Sequence, residues 1–271
     1  MGSIVARDLN HVLDVKSERP GIVLYGGGTD LMVEAAEVDY LFLHQVKELK
    51  TIEEDANWLT IGAGCSFTEV YDYAGTPSIL KEAIAYLAAP AIRNLGTIGG
   101  NVGNGSAKAD TSLIFFALDG IVNLASKRGK RSVPIKEFYL DRKKLAIESD
   151  EIITSISLPK ANYGSYYYKK IGARKALAIS RLDFVGVYRI VDGKIDHLAV
   201  AIGAIAPVII RRPDFDNMLI GLTIEQAKAA RADYLAQYDD IIQPINGRVS
   251  AYYRKTVTMN LLNDFLDNIG L

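Results

Sequence analysis

Cysteine is almost absent from this chain of 271 residues, with Cys65 its only example. One thiol forms no internal disulfide and cannot supply the four thiolates that normally hold an iron–sulfur cluster, so redox metal chemistry, where there is any, has to sit on another chain. Placed after Gly62-Ala63-Gly64 at a strand end, Cys65 itself reads as a packed thiol. Histidine is nearly as scarce. His11, His44 and His197 are scattered, none beside a glycine cluster, and they offer neither metal-ligand spacing nor a nucleophilic triad. An excess of either charge is also missing, because 31 Lys and Arg face 32 Asp and Glu. With no basic stripe interleaved with aromatics, nucleic acid is excluded as the expected partner. No apolar run approaches the roughly 18 residues of a membrane span, and Met1-Gly2-Ser3-Ile4-Val5-Ala6 has no signal-peptide core, so a cytoplasmic protein without membrane contact is expected.

What is present is enough apolar sequence, 49% of residues, for one large core or two modest ones. The first 55 or so residues alternate apolar runs and turns: a helix near 8–16, a strand at 22–25 and another at 40–43. A second lobe starts at Trp58, with helices near 67–73 and 78–88, a buried helix at 110–118, and strands at 121–125, 131–135, 144–148 and 152–158. Pro159 closes that lobe and 160–164 reads as a linker. From residue 165 the pattern turns β-rich, with runs at 165–171, 183–191 and 195–205, the last two joined by the hairpin signal Asp192-Gly193. Thr223-Ile224-Glu225-Gln226 opens a capped helix with Ala227, Ala230 and Tyr234 on one face, and a terminal helix carries Val257, Leu261 and Phe265.

Glycine is concentrated in two clusters, Tyr25-Gly26-Gly27-Gly28-Thr29-Asp30 and the stretch from Asn94 to Ser106. Each follows an apolar run and sets Thr or Asn beside glycine, so that backbone N–H groups and short polar side chains can reach one anion from two sides. An ordinary turn is the competing reading of either cluster alone. The segment near Lys108 lacks Gly-Lys-Ser/Thr, which removes a P-loop, and Phe67 stands where a dinucleotide fingerprint beginning at Gly62 needs a small residue. Hydroxyls, amides and one carboxylate, Asp110, suit a phosphate joined to a polyol, as in a flavin adenine dinucleotide.

Gly26-Gly27-Gly28-Thr29-Asp30-Leu31 and Thr97-Ile98-Gly99-Gly100-Asn101, with Ser106, Asp110, the run from Glu151 to Pro159, the run from Tyr168 to Ala176, and Arg248-Val249-Ser250-Ala251-Tyr252-Tyr253-Arg254, occur in the right order over almost the whole chain. In this the chain resembles the FAD-binding medium subunit of the molybdenum hydroxylases, the xanthine dehydrogenase and carbon monoxide dehydrogenase flavoprotein family. The resemblance implies an α+β protein: a two-lobed FAD-binding domain of the vanillyl-alcohol-oxidase or PCMH type over 1–160, with lobes of about 1–55 and 56–160, then a small α+β C-terminal domain with an antiparallel sheet over 165–271. It further implies FAD held by Leu24, Tyr25, Gly26, Gly27, Gly28, Thr29, Asp30 and Leu31, and by Thr97, Gly99, Gly100, Asn101 and Ser106; with no histidine beside either glycine cluster and Cys65 outside both, noncovalent binding is expected. Leu87 and Ile153 are implied as apolar neighbours of the cofactor, with a plain core role as the alternative. Asp110 is implied to accept from ribityl hydroxyls and Lys170 to reach the flavin; a helix-start carboxylate and a solvated strand lysine are the competing readings. Two departures stand out, Ala107-Lys108 for the usual Pro-Ala and Asn246 for the commoner Asp.

On the same resemblance, the chain is expected to act as an oxidoreductase subunit that takes electrons from a 2Fe-2S partner and passes them to NAD or another acceptor. Molybdopterin would lie on a large partner subunit that hydroxylates the substrate. A self-contained FAD-dependent reductase with its own substrate site is the alternative. Arg174, close to the flavin in some relatives, is a further candidate, while Arg211-Arg212 and Arg142-Lys143-Lys144 read as surface charge.

Overall fold

The computed structural model describes residues 2–34, 36–161, 163–174, 177–244 and 247–271. Asn246, and Lys175 and Ala176 of the motif quoted above, lie outside the described residues. Two compact units emerge: Met1–Ser106 with Asp119–Lys160, and Ala107–Leu118 with Ala161–Leu271.

The first unit contains a small parallel sheet, Ile4–Val5 and Val23–Tyr25 flanking the central Tyr40–Phe42. Parallel neighbours need a crossover, and the helix Leu9–Glu18 supplies it, capped by Asp8, whose carboxylate accepts from His11 N at 2.8 Å. Val12 and Val15 of that helix bury against Leu41, Val46, Leu49 and Ile152. The unit's larger sheet is antiparallel, in the order Ile52–Glu54, Trp58–Gly62, Ile152–Pro159, Ile121–Ser126, Gly129–Pro134. Thr60, Asn123, Ser155 and Ser157 form hydrogen bonds across its strands, Thr60 Oγ1 to Ser157 Oγ at 2.9 Å and Asn123 Nδ2 to Ser157 Oγ at 2.8 Å. The expected strand at 144–148 shrinks to Lys144–Leu145, paired with Tyr139–Asp141.

The second unit is a four-stranded antiparallel sheet, Ser165–Ile171, Leu182–Val191, Lys194–Gly203 and Ile210–Arg211 in that order. Asp192 and Gly193 both have positive φ, 50° and 73°, as a tight hairpin with the strands' twist demands. On one face the helices Ile224–Ile241 and Ala251–Asn268 bury Tyr234, Tyr238, Leu262 and Phe265 against Leu182, Phe184 and Ile202. Gly186 is bare because a Cβ there would sit 2.4 Å from the Phe265 ring. The terminal helix buries Phe265 as expected, together with Thr258, Leu262 and Leu266, while Val257 and Leu261 are half-buried and pack against the same core. Thr258 tolerates burial because its hydroxyl donates to Arg254 O at 2.7 Å.

The helix Asp110–Ala117 groups with this second unit, although chain order alone puts it in the first domain. All of its residues are buried, so it needs cover on every side, and the strands Leu182–Val191 and Lys194–Gly203 provide part of it. Arg211 also departs from the surface reading. Its side chain is buried and paired with the equally buried Asp216, whereas Arg212 lies 4.0 Å over the Phe215 ring and pairs with Asp214.

Candidate functional site

A cleft of about 840 Å³ opens in the first unit. Its floor is the carboxyl edge of the small parallel sheet, the usual place for a ligand because the strand ends there leave their loops free. Tyr25 ends one strand, its ring 4.8 Å from Phe42, and the chain then folds back so that Gly28, at φ 70°, lies under that ring. A Cβ at Gly28 would be 2.1 Å from the Tyr25 hydroxyl oxygen.

The two glycine clusters meet here. A Cβ at Gly27 would stand 1.7 Å from Leu95 O, and one at Gly26 would stand 2.9 Å from Thr97 Oγ1. Glycine therefore serves backbone approach at this junction, and not turn geometry alone. Among the described residues, none accepts from the backbone N–H groups of Gly26, Gly27, Gly28, Thr29 and Asp30. Those five donors are available to whatever occupies the cleft.

The second cluster is organised differently. Thr97 caps a short helix, Ile98–Gly103, which the glycine content hides in the sequence. Gly99 N donates to Ala63 O at 2.8 Å, Gly100 N to Thr97 Oγ1 at 3.1 Å, and Asn101 N to Thr97 O at 2.9 Å. Ile98 N and Phe67 N add bonds to Cys65 O and Gly96 O, which tie the cluster to the strand ending at Gly62. Cluster two is thus a wall already bonded to its own unit, and it offers the Thr97 and Asn101 side chains. Cys65, behind that wall, is buried with its thiol 3.5 Å from Thr51 O, and burial pushes the thiol up to about 11.

Of the residues expected at the site, Leu24, Tyr25, Gly26, Gly27, Gly28, Thr29, Asp30, Leu31, Thr97, Gly99, Gly100, Asn101 and Ile153 all line the cleft. Sequence reasoning missed Leu43, His44, Lys50, Leu145 and Ile147. His44 corrects the reading that no histidine lies beside a glycine cluster, and Lys50 adds an ammonium to the lining. The parallel pairing of Val23–Tyr25 with Tyr40–Phe42 is the signal that locates His44, because strands running the same way end at one edge.

Leu87 and Ser106 belong to the same unit outside the lining. Leu87 is buried at the end of the helix Ser78–Tyr86, and its carbonyl accepts from Arg93 Nη1 at 2.9 Å. Asp110 and Lys170 are in the second unit and are brought together there: Lys170 Nζ donates to Asp110 Oδ2 at 2.7 Å, both side chains are 10% exposed, and Ser180 Oγ donates to Asp110 Oδ1 at 3.1 Å. Burial raises the Asp110 carboxyl above its ordinary range, against the pull of Lys170. Ala107 O accepts from Ala204 N at 2.8 Å, and the Arg174 guanidinium donates to Leu177 O.

Residues 1–161 match the family of the FAD binding domain in molybdopterin dehydrogenase, and residues 166–269 match the CO dehydrogenase flavoprotein C-terminal domain. The xanthine dehydrogenase FAD-binding subunit of Escherichia coli O157:H7 is 31% identical over 219 residues, covering 76% of this chain and 74% of that one. The nicotinate dehydrogenase FAD-subunit of Eubacterium barkeri is 30% identical over 274 residues, covering 94% and 90%. In fold, the chain superposes on carbon monoxide dehydrogenase from Hydrogenophaga pseudoflava with a TM-score of 0.90 at 22% identity, covering 98% and 96%.

Proposed function

The chain belongs to the family of FAD-binding domains of molybdopterin dehydrogenases, and from that premise we propose that it is the subunit through which electrons leave a molybdopterin-dependent hydroxylase, arriving from a 2Fe-2S partner and going on to NAD or another acceptor. The observation that carries the reading to residues is the junction of Gly27 with Leu95, which sets five unengaged N–H donors in a cleft of about 840 Å³. Those donors, the bare glycine backbone and the Lys50 and His44 side chains suit a diphosphate. FAD, when bound, supplies the ability to exchange electrons singly and in pairs.

On this proposal Gly26 to Asp30, Thr97 and Asn101 hold the pyrophosphate, with Gly99 and Gly100 as the bonded wall behind it. Leu24, Tyr25, Leu31 and Ile153 contribute apolar and aromatic lining, and Leu87 and Ser106 act as supporting residues outside it. Asp110 is assigned to the ribityl hydroxyls and Lys170 to the flavin, where an ammonium favours negative charge. Binding is taken as noncovalent on this proposal, with the buried Cys65 thiol outside the cleft lining. With one cysteine in the chain, the iron–sulfur cluster and the molybdopterin belong to an iron–sulfur subunit and a large subunit, in a cytoplasmic complex.

The test is purification of the chain with its neighbours in the genome. Stoichiometric FAD on this chain, molybdenum and iron on copurifying chains, and flavin reduction by substrate only in the complex are expected. Full substrate turnover by the chain alone would overturn the assignment and return it to a self-contained reductase.

A further inference from the structure

The Asp110–Lys170 pair has a third member that neither the sequence motifs nor the cleft calls for. Asp183 lies directly opposite Lys170 in the register of Ser165–Ile171 with Leu182–Val191, and directly opposite Gly203 on its other side. Side chains paired in this way share one face of the sheet. Phe184 and Gly186, the alternate set, meet Phe265 of the terminal helix, so Asp183 points to the other face, where the helix Asp110–Ala117 packs. Its exposure is 0%, and Gly203 leaves it room, since a Cβ there would be 2.5 Å from Asp183 Oδ1.

Neither Asp183 oxygen receives a hydrogen bond among the described residues. Ser180 has one hydroxyl hydrogen and gives it to Asp110 Oδ1. Among the described residues, the charged groups facing Asp183 are Asp110 from the helix, Lys170 from the adjoining strand and the exposed Lys108 just before the helix; the strand ending at Gly203 presents only backbone at this point. Lys170 is committed to Asp110 at 2.7 Å. Two carboxyls therefore share one buried ammonium, and a buried carboxylate without donors is far costlier than a protonated one.

We propose that Asp183 is a proton-holding, positioning residue: at neutral pH it is a neutral carboxylic acid, which leaves Asp110 as a buried counter-charge of Lys170, and once ionised it competes with Asp110 for Lys170. Burial first, then the negative charge of Asp110, shifts this carboxyl upward, against the positive charges of Lys170 and Lys108. A carboxyl raised in the folded state stabilises the fold relative to its ionised form below the unfolded value, and that contribution is lost as pH rises through the folded value. The consequence for the cofactor rests on the proposed role of Lys170 toward the flavin; the protonation of Asp183 does not.

Infrared spectroscopy of the full chain, titrated from neutral to alkaline pH, tests the proposal without any variant. A carbonyl band of a buried protonated carboxyl is expected at neutral pH, fading as the solution becomes alkaline. Asp183→Asn should remove that band and flatten the fall in melting temperature between the ordinary aspartate range and about pH 8, because the amide is neutral throughout. Lys170→Met should carry the band to higher pH. Absence of an Asp183-dependent band at neutral pH, or the same melting profile in Asp183→Asn as in the native chain between the ordinary aspartate range and about pH 8, overturns it. In the FAD-loaded complex, Asp183→Asn should alter the pH profile of the flavin midpoint potential; an unchanged profile alongside a confirmed band removes Lys170 from the flavin and leaves the Asp183 assignment in place.

Discussion

Gly27 and Leu95 are in backbone contact so close that the first carbon of any side chain at position 27 would lie 1.7 Å from the Leu95 carbonyl oxygen. The two glycine clusters form one site because of this contact. It changes why glycine is needed at 27: the residue clears a path for the neighbouring chain as well as for a ligand. Gly27→Ala should cost about 3 kcal/mol or more, since the obstruction is backbone that cannot rotate away. Gly100→Ala, whose Cβ would be 2.9 Å from the Thr97 hydroxyl, should cost about 1 kcal/mol. Melting curves and FAD content of the purified variants check the order: Gly27→Ala loses both stability and flavin, and Gly100→Ala retains most of both.

Lys50 supplies an ammonium among the cleft's lining residues, yet it is exposed, so its attraction for a diphosphate is screened. Lys50→Met should weaken FAD binding by about 1 kcal/mol, roughly fivefold in Kd, at low ionic strength. Fluorescence titration of the cofactor-free protein at two salt concentrations should show the difference shrinking as salt rises.

Breaking the Asp110–Lys170 pair from either side strands a buried charge. Lys170→Met should therefore destabilise the chain by about 3 kcal/mol at neutral pH. Denaturant unfolding measures it, and Lys170→Met combined with Asp110→Asn should recover part of the loss, because no stranded charge is then left from the pair.

Glu151 is held by Arg131 through two hydrogen bonds of 2.7 Å and also accepts from Glu148 N at 2.8 Å. Hydrogen bonding to Arg131 lowers its carboxyl below the ordinary range despite burial. A lowered carboxyl stabilises the fold above its unfolded value, and the contribution disappears as pH falls through the folded value. With Arg131 partly exposed, Glu151→Gln should cost about 1 kcal/mol at neutral pH. Paired melting curves should converge in acid, below the ordinary glutamate range.

Cys65 should resist thiol reagents in the native protein and react at once in denaturant, since its thiol is buried and pushed up to about 11. Prompt native labelling would show the strand end at Gly62 to be open.

Local signals were legible where a few consecutive residues settle the outcome. Asp192-Gly193 turns the hairpin because both residues accept positive φ, and Thr223 with Gln226 caps its helix through reciprocal bonds of 3.2 Å and 3.0 Å. The helix in the second glycine cluster was not legible, because glycine is a poor helix former and the cap at Thr97, together with bonds to Ala63 and Cys65, outweighs that. Arg211 was misread as surface charge because its partner Asp216 lies beyond a proline-led turn that adjacency alone does not close.

By itself the sequence determined what depends on composition and short spacing: one cysteine and hence no cluster ligation, the glycine-rich segments, the caps and turns, and the motifs that mark the flavoprotein family. Only the tertiary structure decided which of these meet. It set Gly27 against Leu95, brought His44 and Lys50 to the cleft, paired Asp110 with Lys170, and left Asp183 buried beside them without a donor. Propensity and periodicity act over a few residues, whereas strand register and close backbone approach join residues far apart in the chain, and it is there that burial decides which charges can survive.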